Sequence, residues 1–167
     1  HLHNGRPLES IKIVNEAGSM GAPLMFIDDL KFLAQLAAGN LDAPEVQGHG
    51  DAGALIPFSR QIPRLLLKGE TEAAMQLALP ILDDPETSDW SAMILAAILG
   101  DRERANLHAS RIDARPGSTI TLTNASLVCA CGAHFDLEAT PNLKARMDVA
   151  GFDWPPPTAI KYPAKDW

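Results

Sequence analysis

The chain has 167 residues, a net charge of −7 and an apolar content of 46%, with few aromatic residues. This length can bury one core, and an acidic chain without a basic patch is not expected to bind nucleic acid. Apolar runs stay below about 18 residues, so the sequence predicts neither a membrane span nor a membrane partner. The apolar residues are mainly Ala, Leu and Ile, which favours closely packed helices.

Glycines recur along the chain at intervals of 30 to 34 residues, at Gly5, Gly39, Gly69, Gly100 and Gly132. The last four each close a mostly apolar run, and the first four each open a short polar stretch. A period of this length is typical of stacked helical hairpins, in which one repeat cannot bury its apolar face alone. We therefore predict an all-α fold, a right-handed stack of antiparallel helical hairpins that forms an α-α superhelix.

Apolar periodicity, prolines and glycines place the helices of the first half of the chain. The first is predicted to begin at Pro7 and to end at Gly18. The next three are predicted at residues 22–38, 51–67 and 70–82. Within the third helix, Pro57 and Pro63 are expected to produce kinks or a break, because proline lacks the backbone N–H that a helix interior uses.

Side chains that cap helices divide the second half of the chain. The predicted helices cover residues 90–99, 102–112, 118–131 and 141–149, and their predicted N-caps are Ser88, Asp101, Ser118 and Thr140. The run Thr119–Thr123 is rich in β-branched residues, so a strand stays open as an alternative there.

Residues 152–167 combine four prolines with Phe152, Trp154, Tyr162 and Trp167, and prolines at this density forbid a helix. We expect an extended tail after a helical-repeat domain at residues 1–151, whose repeat phase suggests the C-terminal end of a longer array. The tail is expected to cover the last helices through Trp154 and Trp167. The alternatives are a groove of this or a neighbouring molecule, or a disordered linker.

Two consecutive units of the chain overlay residue by residue. The first contains Gly69, Ala74, Ala78, Ile81 and Pro85, and the same residue types recur 31 positions later at Gly100, Ala105, Ala109, Ile112 and Pro116. This pattern, and above all the turn GDRERA, resembles the tetratricopeptide repeat family in a degenerate form. The family's Trp-x-x-Leu-Gly core is missing, since Trp90 falls one place off that register. The resemblance implies a superhelix that contacts other proteins.

The segments FDLEATPN, WPP and KDW near the end of the chain are similar to tails of bacterial regulators, in which helical repeats follow a DNA-binding or cyclase-type domain. We therefore expect a non-catalytic cytoplasmic module of a larger regulatory or signalling protein, which binds a protein, a peptide or another segment of its own chain. Self-association is an alternative. The expected contact residues, on the first helix of each hairpin, are Lys31, Gln35, Arg60, Arg64, Asp89 and Asn124.

One short segment contains the candidate metal ligands. Cys129, Cys131 and His134 are of the types that bind zinc, and Asp136 lies nearby. On a helix, however, residues two apart diverge by about 200°, so one ion does not easily reach both thiolates. Cysteine is also among the most buried residue types. We expect buried, reduced cysteines and no cofactor, and we keep a metal-binding or enzymatic module as the alternative.

Overall fold

The computed structural model describes residues 6–21, 27–43, 61–128, 135–151 and 154. The helices are α1 Pro7–Ser19, α2 Ile27–Ala37, α3 Gln61–Leu67, α4 Thr71–Leu82, α5 Asp89–Leu99, α6 Arg102–Asp113, α7 Ser118–Val128 and α8 Pro141–Ala150. A 3₁₀ turn, Leu137–Ala139, precedes α8. Over these residues the all-α prediction is confirmed. The strand alternative is wrong, because Thr119–Thr123 lies inside α7.

Most helices that follow each other in sequence pack against each other in the described part of the chain. α1 packs on α2 and α3 packs on α4, and from α4 to α8 each helix packs on the next. α6 also contacts α8. No helix in the described part of the chain is long and apolar enough to cross a bilayer. The sequential packing is the arrangement that helical hairpins require.

Three of the periodic glycines end their helices with the same cap. Gly39, Gly69 and Gly100 have φ angles of 85°, 79° and 81°, a left-handed conformation that favours glycine. In each cap the residue after the glycine donates its N–H to the carbonyl five residues earlier, over 2.8–3.0 Å, and the glycine N–H bonds three residues back. This is the Schellman motif. The glycine period therefore marks one turn geometry that recurs after α2, α3 and α5.

The alanines of the repeated pattern are buried at helix contacts. Ala74 and Ala78 of α4, and Ala105 and Ala109 of α6, have no exposed surface. Ala105 packs against two alanines of α5, so the helices of this hairpin meet through small side chains. The 31-residue overlay thus corresponds to equivalent buried positions in the two helices.

α5 lies at the centre of the core. Residues 92–98 are all buried, as is typical of a helix that is apolar on every side. The main core joins α3, α4, α5, α6, α7 and α8, and it contains Ile62, Leu66, Met93, Leu95, Ile98, Ile112, Leu122, Phe135 and Leu143. A second cluster around Phe32 and Leu36 contacts α3 through Leu67.

Two of the predicted helices are described only in part. The described part of α3 is Gln61–Leu67, inside the predicted helix 51–67, and it contains the buried Pro63. Pro57 belongs to residues 44–60, which lie outside the described residues, and so do residues 22–26 before α2.

Two of the four predicted N-caps are confirmed. Ser88 Oγ accepts from Ser91 N over 3.2 Å, and Asp101 Oδ1 accepts from Arg104 N over 3.0 Å. Ser118 is instead the first residue of α7, and its hydroxyl donates to the Asp113 carbonyl. Thr140 precedes α8, but its hydroxyl donates to Leu137 O, so the prediction of a side-chain cap there is wrong.

The N-terminus of α8 is capped by the buried carboxylate of Asp113, at the end of α6. Asp113 Oδ2 accepts from Asn142 N over 2.9 Å, and Oδ1 accepts from Leu143 N over 3.0 Å. Asp113 is 2% exposed. A carboxylate at this end of a helix satisfies free N–H groups and faces the positive end of the helix dipole. α6 therefore fixes the position of α8.

Trp154 is the one tail residue that the structure describes. Its ring centroid lies 5.1 Å from that of Phe135, with the two rings tilted by 34°, and its side chain is packed against the main core. The other tail residues, Trp167 among them, lie outside the described residues.

Candidate interaction cleft

A cleft of about 550 Å³ lies between the C-terminal end of α4, the α4–α5 turn and one face of α6. Leu82, Ala92 and Leu107 supply its apolar part, and charged side chains surround them. Leu107 is 47% exposed although it is a large apolar residue. The cleft thus combines apolar surface with a charged rim, the composition of many protein interfaces.

One stripe of α6 and its C-terminal extension forms the basic wall. Arg104, Leu107, His108, Arg111 and Arg115 all line the cleft. The four basic residues are spaced three or four positions apart, which places them on one face of a helix, and Leu107 lies three residues after Arg104 on the same face. Because the alanines of α6 occupy its buried face, this stripe is left to face the α4–α5 turn.

Asp89, in the first turn of α5, lies at the inner end of the cleft and meets three basic side chains. Its Oδ1 accepts from His108 Nδ1 over 2.8 Å and lies 3.6 Å from Arg111 Nη1. Its Oδ2 accepts from Arg115. The side chains of Asp89 and His108 are 13% exposed, whereas those of Arg111 and Arg115 are 54% and 62% exposed. One enclosed carboxylate therefore holds two largely solvated guanidinium groups.

The charge state of Asp89 follows from these contacts. Burial raises its pKa, but the hydrogen bond from His108 and the charges of Arg115, His108 and Arg111 outweigh burial and hold the pKa below its ordinary value of 3.8. Asp89 is therefore ionised at neutral pH and binds the end of α6 to the start of α5.

The α4–α5 turn forms the acidic wall of the cleft. Asp83 pairs with Arg104 over 3.2 Å. Asp84 Oδ1 accepts from Glu86 N over 2.9 Å, a local bond that shapes the turn. Thr87 Oγ1 donates to Ile81 O over 2.7 Å. The hydroxyls of Thr87 and Ser88 thus serve the turn and the α5 cap.

Four of the residues predicted as surface contacts have described side chains: Lys31, Gln35, Arg64 and Asp89. Asp89 lines the cleft. Arg64 is engaged within the fold, where it donates to Ala43 O and its guanidinium lies 4.9 Å from the centroid of the Phe32 ring. Lys31 and Gln35 are half-buried on α2, and Gln35 Oε1 accepts from Asn40 Nδ2 over 3.2 Å.

The other predicted residues either lie outside the described residues or have side chains that the structure does not describe. Arg60 and the candidate metal ligands Cys129, Cys131 and His134 lie outside the described residues. Asn124 belongs to α7, but its side chain is not described. Among the residues that the structure does describe, no group of three or more His, Cys, Asp or Glu side chains could hold a metal ion.

Asp136, close to the candidate metal ligands in sequence, is bound to α6. Its two oxygens accept from Arg102 Nη2 and Nε over 2.6 and 2.7 Å, and Oδ2 also accepts from Asn106 Nδ2 over 2.7 Å. The Asp136 N–H donates to Asn106 Oδ1 over 2.8 Å. A bidentate arginine pair of this kind is a strong and specific contact. It attaches the segment before α8 to α6.

The Arg102–Asp136 pair predicts a specific response to acid. Hydrogen bonds from Arg102 hold the pKa of Asp136 below 3.8; burial raises the pKa by less, and the Asn106 hydrogen bond lowers it further. The stabilisation is therefore complete above pH 3.8 and is lost as pH falls through the lower folded pKa. We expect Asp136→Asn to lose less stability than wild type between about pH 5 and about pH 2 in urea titrations.

Removing the other partner provides the check on this acid response. Arg102→Gln leaves Asp136 without its cation. The pH dependence of the free energy of unfolding of this variant should therefore match that of Asp136→Asn. If both variants lose as much stability in acid as the wild type does, the pair contributes nothing to the acid response.

The basic wall of the cleft was not predicted from the sequence, since none of His108, Arg111 and Arg115 was expected to be a contact residue. The available signal was the spacing of Arg104, His108, Arg111 and Arg115 along one face. The contact with Asp89, 19 to 26 residues earlier, has no local sequence signature.

Comparison of the chain with known proteins gives no matching family model, no matching curated protein and no matching solved structure.

Proposed function

We propose that this chain is a non-catalytic interaction module, a degenerate tetratricopeptide-like stack of hairpins that forms a right-handed superhelix. It contacts another protein, or another segment of a larger bacterial regulatory protein. The observation that carries the proposal is the recurrence of one Schellman turn after α2, α3 and α5, at Gly39, Gly69 and Gly100, of which the last two each join a pair of packed helices. Repeats of this kind build extended surfaces for binding.

The cleft supports an interaction role more than a catalytic one. Its hydroxyl groups are engaged in the turn and in a helix cap. The His108–Asp89 pair, which could orient a general base in an enzyme, is combined with Arg115 and joins two helices. A partly exposed Leu107 among charged side chains is the composition expected of an interface.

Site-specific photo-crosslinking tests this proposal. A photoreactive phenylalanine analogue replaces Leu107 in the full-length parent protein, produced at its natural level in its own cells. We expect discrete crosslinked products, whose partner peptide is mapped by mass spectrometry. The same analogue at Val149, which is 91% exposed on α8, serves as the matched control and should give little product.

Two results would contradict the interaction module. One is equal and diffuse crosslinking from Leu107 and Val149, which would show that the cleft has no preferred partner. The other is stoichiometric zinc in the purified protein, which would favour a metal module that uses Cys129, Cys131 and His134.

A further inference from the structure

Apart from the Asp83–Arg104 pair, the described charges of the turn and of the α6 stripe are not paired with each other. Asp84, which lines the cleft, and Glu86, two residues later in the α4–α5 turn, are exposed, and neither carboxylate forms an ion pair with any of the described residues. On the opposite wall, the described contacts of Arg111 and Arg115 all go to Asp89. A guanidinium group has five N–H donors, so both arginines keep donors directed at water.

This pattern is complementary to itself. A surface with an acidic half and a basic half matches a second copy of itself turned by a two-fold rotation, because each acidic half then meets a basic half. In such an interface, residue i of one copy contacts residue j of the other, and j contacts i. Leu107, on the α6 wall and 47% exposed, adds apolar surface beside the basic side chains.

We propose that the cleft is a homodimer interface, in which Asp84 and Glu86 of one copy bind Arg111 and Arg115 of its partner, and the reverse. The inference rests on the proposed function, since it names a second copy of this chain as the partner of the same site. Arginine suits this role because its planar group binds a carboxylate through two parallel hydrogen bonds.

The overall charge of the chain makes the local pairing decisive. Two copies, each with a net charge of −7, repel each other at long range. At physiological ionic strength, charges further apart than about 8 Å are largely screened, whereas directly paired groups are not. Association therefore depends on the four arginine–carboxylate contacts, and the small area of one cleft gives a weak, concentration-dependent dimer.

Light scattering on the 167-residue chain, over a range of concentrations, tests the dimer. We expect the mass to rise from 17.9 kDa toward twice that value as concentration increases. Arg111→Glu/Arg115→Glu should make both walls acidic, and Asp84→Lys/Glu86→Lys should make both walls basic. Each double variant alone should show a dissociation constant at least about tenfold higher, because like charges then meet.

Mixing the two double variants gives the sharpest outcome. In the mixed dimer, the acidic turn of the Arg111→Glu/Arg115→Glu variant meets the basic stripe of the Asp84→Lys/Glu86→Lys variant. The new acidic stripe of the former variant meets the new basic turn of the latter. An equimolar mixture should therefore dimerise again with nearly the wild-type constant. Recovery in the mixture also shows that both variants are folded, although Arg111 and Arg115 hold Asp89 in the wild type.

The control is Lys144→Glu/Arg146→Glu, which makes the same change in net charge on α8, outside the cleft. It should dimerise as the wild type does, apart from a small long-range effect. The proposal is overturned if the wild type stays monomeric at all concentrations, or if the mixture of charge-reversed variants fails to associate. If Leu107 then still crosslinks to a different protein, the interaction module stands and only the homodimer is wrong.

Discussion

Replacing Asp113 by alanine is expected to lower the free energy of unfolding by about 2–3 kcal/mol, because each buried N–H that loses its acceptor costs about 1–3 kcal/mol. Asp113 accepts from the N–H groups of Asn142 and Leu143, at the start of α8. The side chain is 2% exposed, so water does not readily replace it. Urea unfolding followed by circular dichroism measures the change.

Two further variants separate the cap from general effects of losing a charge. Asp113→Asn keeps one acceptor oxygen and should cost clearly less than alanine. Asp148→Ala removes a carboxylate from the exposed face of α8, where it pairs with Lys144, and should cost less than about 0.5 kcal/mol. An Asp113→Ala variant no less stable than Asp148→Ala would show that α6 does not hold α8 through this carboxylate.

Enlarging Ala105 to leucine is expected to cost about 1–3 kcal/mol, because extra methylene groups in a well-packed contact force side chains and backbone apart. Ala105 is fully buried against Ala96 and Ala97, where α5 and α6 cross. No larger side chain fits there without moving one helix. The midpoint of urea unfolding should fall while its slope stays unchanged, since the surface exposed on unfolding is similar.

The matched control for Ala105→Leu is the same substitution at Ala145, an exposed position of α8. Both variants have the same change in helix propensity, which is small. The difference between them therefore measures packing alone. Equal unfolding midpoints for the two variants would mean that the alanine register of the repeat does not describe the helix contacts.

Features that depend on neighbouring residues were predictable from the sequence. The turn at Gly100, the Ser88 cap and the Asp101 cap each involve groups within five residues of one another. Their geometry is set by backbone sterics and by side chains that reach their own helix end, so the residue types alone indicate them.

The predicted side-chain caps of α7 and α8, at Ser118 and Thr140, were wrong. Thr140 has the right residue type at the right place, yet its hydroxyl bonds to Leu137. The acceptor for α8 comes from Asp113, which lies 29 and 30 residues before the N–H groups it binds. A buried carboxylate satisfies more N–H groups than one hydroxyl does and also meets the helix dipole, but only the folded chain brings it there.

By itself, the sequence determined the helical class of the chain, the glycine turns and the buried alanines, because a period of about 31 residues repeats the same local chemistry. Tertiary structure alone decided the cleft. His108, Arg111 and Arg115 are unremarkable on their helix until α5 places Asp89 beside them. Contacts between residues distant in sequence depend on how helices pack, and packing is a property of the whole core, which no local pattern encodes.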